Sequence, residues 1–243
     1  MKKFYSLIVM LLLLAMPAAM RAQSTTVTIG DPSSNIQTYA LPFEQSSYYS
    51  LAQQIYTADE INMPDGGTIT SISFEYTYTQ PFSLDGIQVY MKNVNKNNFE
   101  NTNDMVEVNT SNKVFEGIFS APGAGWVTLT LNTPFHYDGT SNLLVCFLDT
   151  INGRLGSSYT FRATIGQSNP NPTIVWYHGS IIPDINNLGS FSGIKETLSY
   201  RANIQIGITP SAVGSGSIDF ETGDFSQYSF VNDATYPWII VDA

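Results

Sequence analysis

Cysteine and histidine are nearly absent from this chain of 243 residues, which has one cysteine and two histidines. The single cysteine, Cys146, cannot form an internal disulfide, and its apolar sequence surroundings predict a small buried side chain. The two histidines, His136 and His178, are too few for a multi-histidine zinc site, and no zinc-ligand spacing is present. The sequence therefore excludes a disulfide scaffold and a zinc centre of the usual type.

Basic residues are scarce as well. Ten Lys and Arg residues stand against 20 Asp and Glu residues, which gives a formal net charge of −10, and Lys2, Lys3 and Arg21 lie within the first 22 residues. A surface of this sign repels phosphate backbones and anionic lipids. We therefore expect neither nucleic acid nor a membrane surface as a partner. Divalent cations held by carboxylates remain compatible with this charge, although most surface carboxylates only solvate a fold.

Catalytic motifs are also lacking. His178, Ser180 and Asp184 have the residue types of a serine triad, but no nucleophile elbow accompanies them. The acid pair Asp59 and Glu60 lacks the apolar surroundings that would raise a pKa for glycoside cleavage. No glycine-rich phosphate loop opens a helix. We predict a chain that is not an enzyme, with no certain cofactor.

The first 22 residues have the pattern of a secretory signal. Lys2 and Lys3 form a basic start, residues 8–15 form an apolar run, and cleavage is expected after Ala22, with Ala19 as the alternative. The apolar run is too short for an ordinary transmembrane helix, and no second run follows. We expect an exported protein, secreted or on the outer cell surface. Export without disulfides fits a Gram-negative bacterium.

β-Strand patterns fill the rest of the chain. Residues 126–131 alternate in polarity, and residues 143–148 are apolar at every position, which predicts a strand buried on both faces. Asp138-Gly139 between them supplies the positive φ of a tight connection. We take these two strands as the central pair of the fold, with Trp126 packed between layers.

Further strand patterns are separated by Gly, Pro and Asn turns. In residues 68–79, Ile72, Phe74, Tyr76 and Tyr78 share one face, and Asp85-Gly86 predicts a hairpin into residues 87–94. The remaining candidate strands are residues 25–29, 50–57, 113–119, 158–164, 173–178 and 200–206. The Asn-rich run 93–112 is expected to be an exposed loop. The pattern predicts an all-β fold, a jelly-roll-like β-sandwich.

The domain division follows from composition. Residues 23–209 form the predicted sandwich, and residues 210–216 have linker composition. Residues 217–243 begin a new strand pattern but are far fewer than the ~100 residues a sandwich needs. We expect them to be the start of a second β domain that continues beyond Ala243; packing of this tail on the first domain is the alternative.

Two parts of the sequence resemble known proteins. The span from Tyr49 to Ile206 looks like β-sandwich modules of Bacteroidota surface proteins, through the segments Tyr49-Ser50, Gln53-Gln54-Ile55-Tyr56-Thr57, Ile69-Thr70-Ser71-Ile72, Val89-Tyr90-Met91, Gly125-Trp126-Val127 and Pro134-Phe135-His136-Tyr137-Asp138-Gly139. The segment IDFETGD at 218–224 is similar to the opening strand of cleaved-adhesin jelly rolls in gingipain-like haemagglutinins. This resemblance implies adhesion or ligand binding by a modular exported protein with further domains.

The same resemblance implies a calcium site. Cleaved-adhesin jelly rolls hold structural calcium through carboxylates near their first strand, which would correspond to Asp219, Glu221 and Asp224. Strand alternation places Asp219 and Glu221 on one face, and hard cations need converging oxygens. Solvated acids at a strand end are the alternative interpretation.

Trp176, Tyr177 and His178 form the candidate ligand site, because secreted sandwiches bind sugars by stacking them on exposed aromatic rings. The alternative places Trp176 in the core. We predict a non-catalytic adhesin module that recognises a glycan or a host surface protein. Two alternatives stay open: an accessory domain of a secreted protease or glycoside hydrolase whose catalytic part lies outside this chain, and a structural spacer or fimbria-like subunit.

Overall fold

Two antiparallel β-sheets, packed face to face, make up the part of the chain that the computed structural model describes, residues 23–166 and 170–211. This confirms the all-β sandwich class. The predicted signal (1–22), the linker from residue 212 onward and the predicted second domain lie outside the described residues.

The first sheet has seven strands. Its main path, in spatial order, is β1 (Thr25–Ile29), β13 (Ile204–Pro210), β4 (Gly67–Tyr76), β9 (Phe161–Ile165) and β12 (Tyr200–Ala202). Two further strands join it: β2 (Ile36–Thr38) pairs with β9, and β7 (Gly125–Tyr137) pairs with β4 on the side away from β13.

The second sheet has six strands. Their spatial order is β11 (Ile194–Leu198), β10 (Thr173–His178), β3 (Tyr49–Tyr56), β8 (Asn142–Asp149), β5 (Phe82–Val94) and β6 (Lys113–Ala121). After β3 the chain forms a single-turn helix, α1 (Ala58–Ile61), which opens with a capping box between Thr57 and Glu60. Short 3₁₀ turns lie at Thr110–Asn112 and Leu188–Ser190.

The main core lies between the sheets, because each inward strand face is apolar. Ile72, Phe74 and Tyr76 of β4 are all at most 1% exposed, which confirms the predicted inward face of this strand. Aromatic rings join the layers: the ring centroids of Phe74 in the first sheet and Phe147 in the second lie 5.3 Å apart, edge to face. Such pairs add about 0.5–1.5 kcal/mol to the effect of burial alone.

A second apolar cluster covers the outer face of the second sheet. Two segments pack there, the first covering loop (residues 95–112) and the second covering loop (residues 179–193). Phe99 and Val108 of the first loop are 0% and 3% exposed, so the prediction of a wholly exposed Asn-rich loop was wrong. The loop is polar in composition, but these two apolar side chains pack into the second cluster. With both its faces covered, β8 is buried as predicted, and Cys146 within it is fully buried.

Strand pairing differs from the prediction. The expected central pair, β7 and β8, lies in two different sheets, and β4 and β5 also lie in different sheets, so the predicted hairpin at residues 68–94 was wrong. Asp138 and Gly139 make the expected turn, with Gly139 at φ 82°, but this turn carries the chain from one layer to the other. Asp85 and Gly86 instead lie inside β5, where the register shifts at a bulge and Gly86 has φ 100°. A turn signal marks a change of direction without specifying the layer of the next strand.

Candidate functional site

Trp176, the central residue of the predicted ligand site, is a core residue in the structure. Its side chain is 2% exposed and stacks on Phe191 with ring centroids 5.4 Å apart and planes at 6°. The indole Nε1–H donates to the carbonyl of Thr102 at 2.8 Å, and the Lys195 ammonium lies 4.1 Å from the ring centroid. Trp176 therefore anchors both covering loops to the second sheet, and its ring offers no open face for stacking a ligand.

Tyr177 and His178 face different surroundings from Trp176. Tyr177 packs against the main core, and its hydroxyl donates to Glu196 Oε1 at 3.1 Å; burial and this carboxylate raise the pKa of Tyr177 to about 12. The Nδ1 atom of His178 accepts backbone N–H groups of Ser180 and Ile181, both at 2.9 Å. Alternation along β10 places Tyr177 on the opposite face from Trp176 and His178. Since Trp176 is buried and His178 bonds to the following turn, the three side chains do not assemble into one site.

The serine-triad residues are not arranged as a triad. His178 Nδ1 is occupied by the backbone amides of the next turn, and Asp184 Oδ1 accepts the amide of Asn186 at 2.9 Å. Among the described residues, no group of three or more His, Cys, Asp or Glu side chains is placed to hold a metal ion. The predicted calcium ligands Asp219, Glu221 and Asp224 lie outside the described residues.

Trp126 is the exposed tryptophan of the described chain. It is 38% exposed, so the prediction that it packs between the layers was wrong. The reason is alternation along β7: Val127 and Leu129 face the core, which places Trp126 and Thr128 on the opposite, outer face of the first sheet. The same alternation was visible in the sequence, but the preference of tryptophan for buried positions outweighed it.

Polar side chains form two regular rows on this outer face. Cross-strand register aligns Thr28, Gln205, Ser73 and Thr128 in one row and Thr26, Gly207, Ser71 and Thr130 in the next. Directly opposed residues point to the same face, and neighbouring strands lie about 4.7–4.9 Å apart. The rows therefore place hydroxyl and amide groups at a regular spacing across β1, β13, β4 and β7, with Ser73 at 6% exposure covered by its neighbours.

The indole of Trp126 stands at the end of a third row. Glu75 is its partner on β4, and the Glu75 carboxylate receives two donors, Arg162 Nε at 2.8 Å and Asn203 Nδ2 at 3.3 Å. Glu75 and Arg162 form an ion pair at this corner of the sheet, and the exposed carboxylate of Asp31 lies near the same guanidinium. We call these three rows together the hydroxyl face.

The hydroxyl face is held rigidly at its centre. The hydroxyl oxygens of Ser73 and Thr128 lie 2.9 Å apart, and at its corner Thr164 donates to Asn203 Oδ1 at 2.7 Å. Gly207 carries no side chain in its row, and Ser71 Oγ fills the space beside it, since a Cβ atom there would lie 2.2 Å from that oxygen. The face therefore combines hydrogen-bonded polar groups with an exposed aromatic ring.

The two packed antiparallel sheets define the described part of the chain as a β-sandwich. In comparisons with known proteins, no protein-family model and no curated protein matches the chain. Within the described ranges 23–166 and 170–211, no helix has the length and apolar character needed to cross a membrane.

Proposed function

We propose that this protein is a non-catalytic binding module of an exported, modular protein, and that its hydroxyl face binds a neutral glycan chain. The observation that carries the proposal is the exposed indole of Trp126 beside the fixed Glu75 carboxylate. An exposed tryptophan at the end of ordered polar rows supplies the two elements of sugar binding, an apolar ring face and oriented hydrogen-bonding groups.

The chemistry of the face suits a sugar. The apolar C–H face of a pyranose ring stacks on the Trp126 indole, while its hydroxyl groups donate to the carboxylate of Glu75 or accept from Arg162. The exposed hydroxyls of Thr128 and Thr130 both donate and accept, so they match sugar hydroxyls in either role. Repeated rows across four strands then allow successive sugar units to contact the same kinds of groups.

Charge favours a neutral glycan over an acidic one. Arg162 is paired with Glu75 and lies near the Asp31 carboxylate, so the face carries no excess positive charge, and the chain as a whole carries a net charge of −10. A polyanionic glycan would be repelled by this field, whereas a neutral glycan meets no electrostatic barrier.

Export and surface location belong to the same proposal. They are supported by the signal-like pattern of residues 1–22 and by the resemblance to Bacteroidota surface modules. In that setting the glycan is either part of a host surface or an extracellular polysaccharide.

Affinity electrophoresis through gels that contain a neutral polysaccharide tests the proposal. Galactomannan, xyloglucan and mixed-linkage glucan are the probes, and Trp126→Ala should abolish any retardation that the wild type shows. Tyr39→Ala is the matched control, because Tyr39 is 42% exposed but lies in the loop after β2. Retardation lost equally in both variants, or absent with every glycan, would contradict the proposal and favour a structural spacer.

A further inference from the structure

A pocket of about 380 Å³ opens on the outer face of the second sheet, on the side opposite the hydroxyl face. Gln88, Tyr90 and Leu148 form its floor, Thr110 and Lys113 form one wall, and residues 182–186 form the other. It lies where the two covering loops leave the sheet open. Its volume falls within the range of small-molecule sites, roughly 300–1,000 Å³.

Opposite charges stand on the two walls. Lys113 and Asp184 both line the pocket but are not paired with each other among the described ion pairs. Lys113 Nζ instead contacts Glu116 Oε2 at 2.5 Å, and the two side chains are 32% and 51% exposed. An exposed ion pair of this kind is weak, so the Lys113 ammonium can exchange Glu116 for an anionic ligand group.

Hydrogen bonds hold the wall that carries Asp184. The chain leaves β10 through a turn whose Ser180 and Ile181 amides donate to His178 Nδ1. Asp184 Oδ1 then accepts the amide of Asn186, while the second carboxylate oxygen is left for a ligand. A wall fixed before binding reduces the ordering cost of the complex.

The floor is apolar with one polar group. Tyr90 and Leu148 are 2% and 5% exposed, while Ile182 at the rim is 49% exposed. The Tyr90 hydroxyl donates to Gln88 Oε1 at 2.5 Å, which leaves the amide nitrogen of this lining residue as a donor for a ligand. The Lys113 ammonium thus lies on one wall, the Asp184 carboxylate lies on the other, and the floor lies between them.

We propose that this pocket binds a small zwitterion with an apolar body, namely an amino acid with an apolar side chain or a short peptide of such residues. Its carboxylate contacts Lys113 and the Gln88 amide, its ammonium contacts the Asp184 carboxylate, and its side chain lies between Leu148 and Ile182. The site is independent of glycan binding at the hydroxyl face.

Isothermal titration calorimetry of the purified chain tests this with leucine, leucyl-leucine, leucine amide and N-acetyl-leucine. Leucine or leucyl-leucine should bind saturably, and the stronger of the two identifies the free amino acid or the peptide as the ligand. Leucine amide lacks the carboxylate and N-acetyl-leucine lacks the ammonium, so each should bind at least about tenfold more weakly, as expected for loss of a charged hydrogen bond.

Two variants test which charged residue contacts each end of the ligand. Lys113→Gln should remove the discrimination between leucine and leucine amide, and Asp184→Asn should remove that between leucine and N-acetyl-leucine. Lys92→Gln, on β5 and outside the pocket lining, is the matched control and should bind as the wild type does. Equal binding of the blocked and zwitterionic ligands, or no binding of either zwitterion at millimolar concentration, would overturn the proposal.

An NMR measurement on the wild-type chain tests the same site without depending on whether the variants fold. Addition of leucine or leucyl-leucine should shift the backbone amide signals of Thr110 and Asn186 in a ¹⁵N–¹H spectrum while leaving those of Thr128 and Thr130 unchanged. Shifts confined to residues outside the pocket would place the ligand elsewhere and overturn the assignment.

Discussion

Asp149, at the end of β8, lies directly opposite Ser50 of β3 on the inner face of the second sheet. Its side chain is almost completely buried, at 1% exposure, and one oxygen accepts the amide of Ile151 at 2.8 Å. Burial raises the pKa of the Asp149 carboxyl to about 7, although the hydrogen bond from Ile151 acts in the opposite direction.

This raised pKa predicts a pH-dependent stability. The folded state binds the Asp149 proton more tightly than the unfolded chain, whose carboxyl has the ordinary value of 3.8. The free energy of unfolding that the bound proton adds is therefore fully present below pH 3.8. It is lost as pH rises toward about 7, by up to about 1.4 kcal/mol per pH unit. Asp149→Asn removes the titration, so the stability of the wild type relative to this variant should fall between pH 4 and pH 7. Chemical denaturation at a series of pH values measures this, and parallel curves for the two proteins would contradict it.

The two tryptophans should differ sharply in their effect on stability. Trp176→Ala leaves a cavity against Phe191 and removes the bond to Thr102, so it should lower the free energy of unfolding by about 3–5 kcal/mol. Trp126→Ala changes an exposed position and should stay within about 0.5 kcal/mol of the wild type. Urea denaturation compares them, and similar losses in the two variants would show that the assignment of core and surface is wrong.

Gln53 should govern the docking of the first covering loop. Its fully buried side chain donates to the carbonyl of Val106 at 2.7 Å and accepts the Val106 amide at 2.8 Å. Gln53→Met leaves both backbone groups unpaired and should cost about 2–4 kcal/mol, with faster hydrogen exchange at the Val106 amide. Gln37→Met, at an exposed position of β2, is the control. Unchanged exchange at Val106 in the Gln53 variant would show that Phe99 and Val108 suffice to hold the loop.

The Cys146 thiol should react only slowly with disulfide reagents in the folded protein. Burial raises the pKa of its thiol to about 12, so the thiolate that reacts with disulfide reagents is scarce at neutral pH. Ellman's reagent should therefore label the native chain only as fast as the strand opens, and should label the chain in guanidinium within the mixing time. Rapid stoichiometric labelling under native conditions would contradict the burial of β8.

Strand positions were predictable from the sequence, whereas the partners of each strand were not. The pattern at residues 173–178 coincides with β10, and the apolar run at 143–148 marks the doubly buried β8, because periodicity reports the environment of each face. The layer into which a strand passes after a turn depends on long-range packing, so the crossovers between β4 and β5 and between β7 and β8 were missed.

For the candidate sites too, the local strand pattern was predictable from the sequence and the long-range packing was not. The adjacency of three ring-bearing residues predicts one site at Trp176, Tyr177 and His178, but strand alternation sends neighbouring side chains to opposite faces. Trp126 was visible as an outward position of β7, but its exposure depends on β7 lying at an edge of the first sheet with its outer face bare. Residues 182–186 come to face Lys113 only through the docking of the second covering loop, which no local pattern reports.

The pairing of β1 with β13 has a mechanical consequence. Thr25 and Ile208 are register partners, so the start of the first strand and the end of the last strand lie side by side. A force that pulls these two ends apart loads the hydrogen bonds between β1 and β13 one after another, as in the opening of a zipper, instead of shearing them together. Under tension between its ends, the sandwich should therefore yield at low force, beginning with release of β1 from the edge of the hydroxyl face.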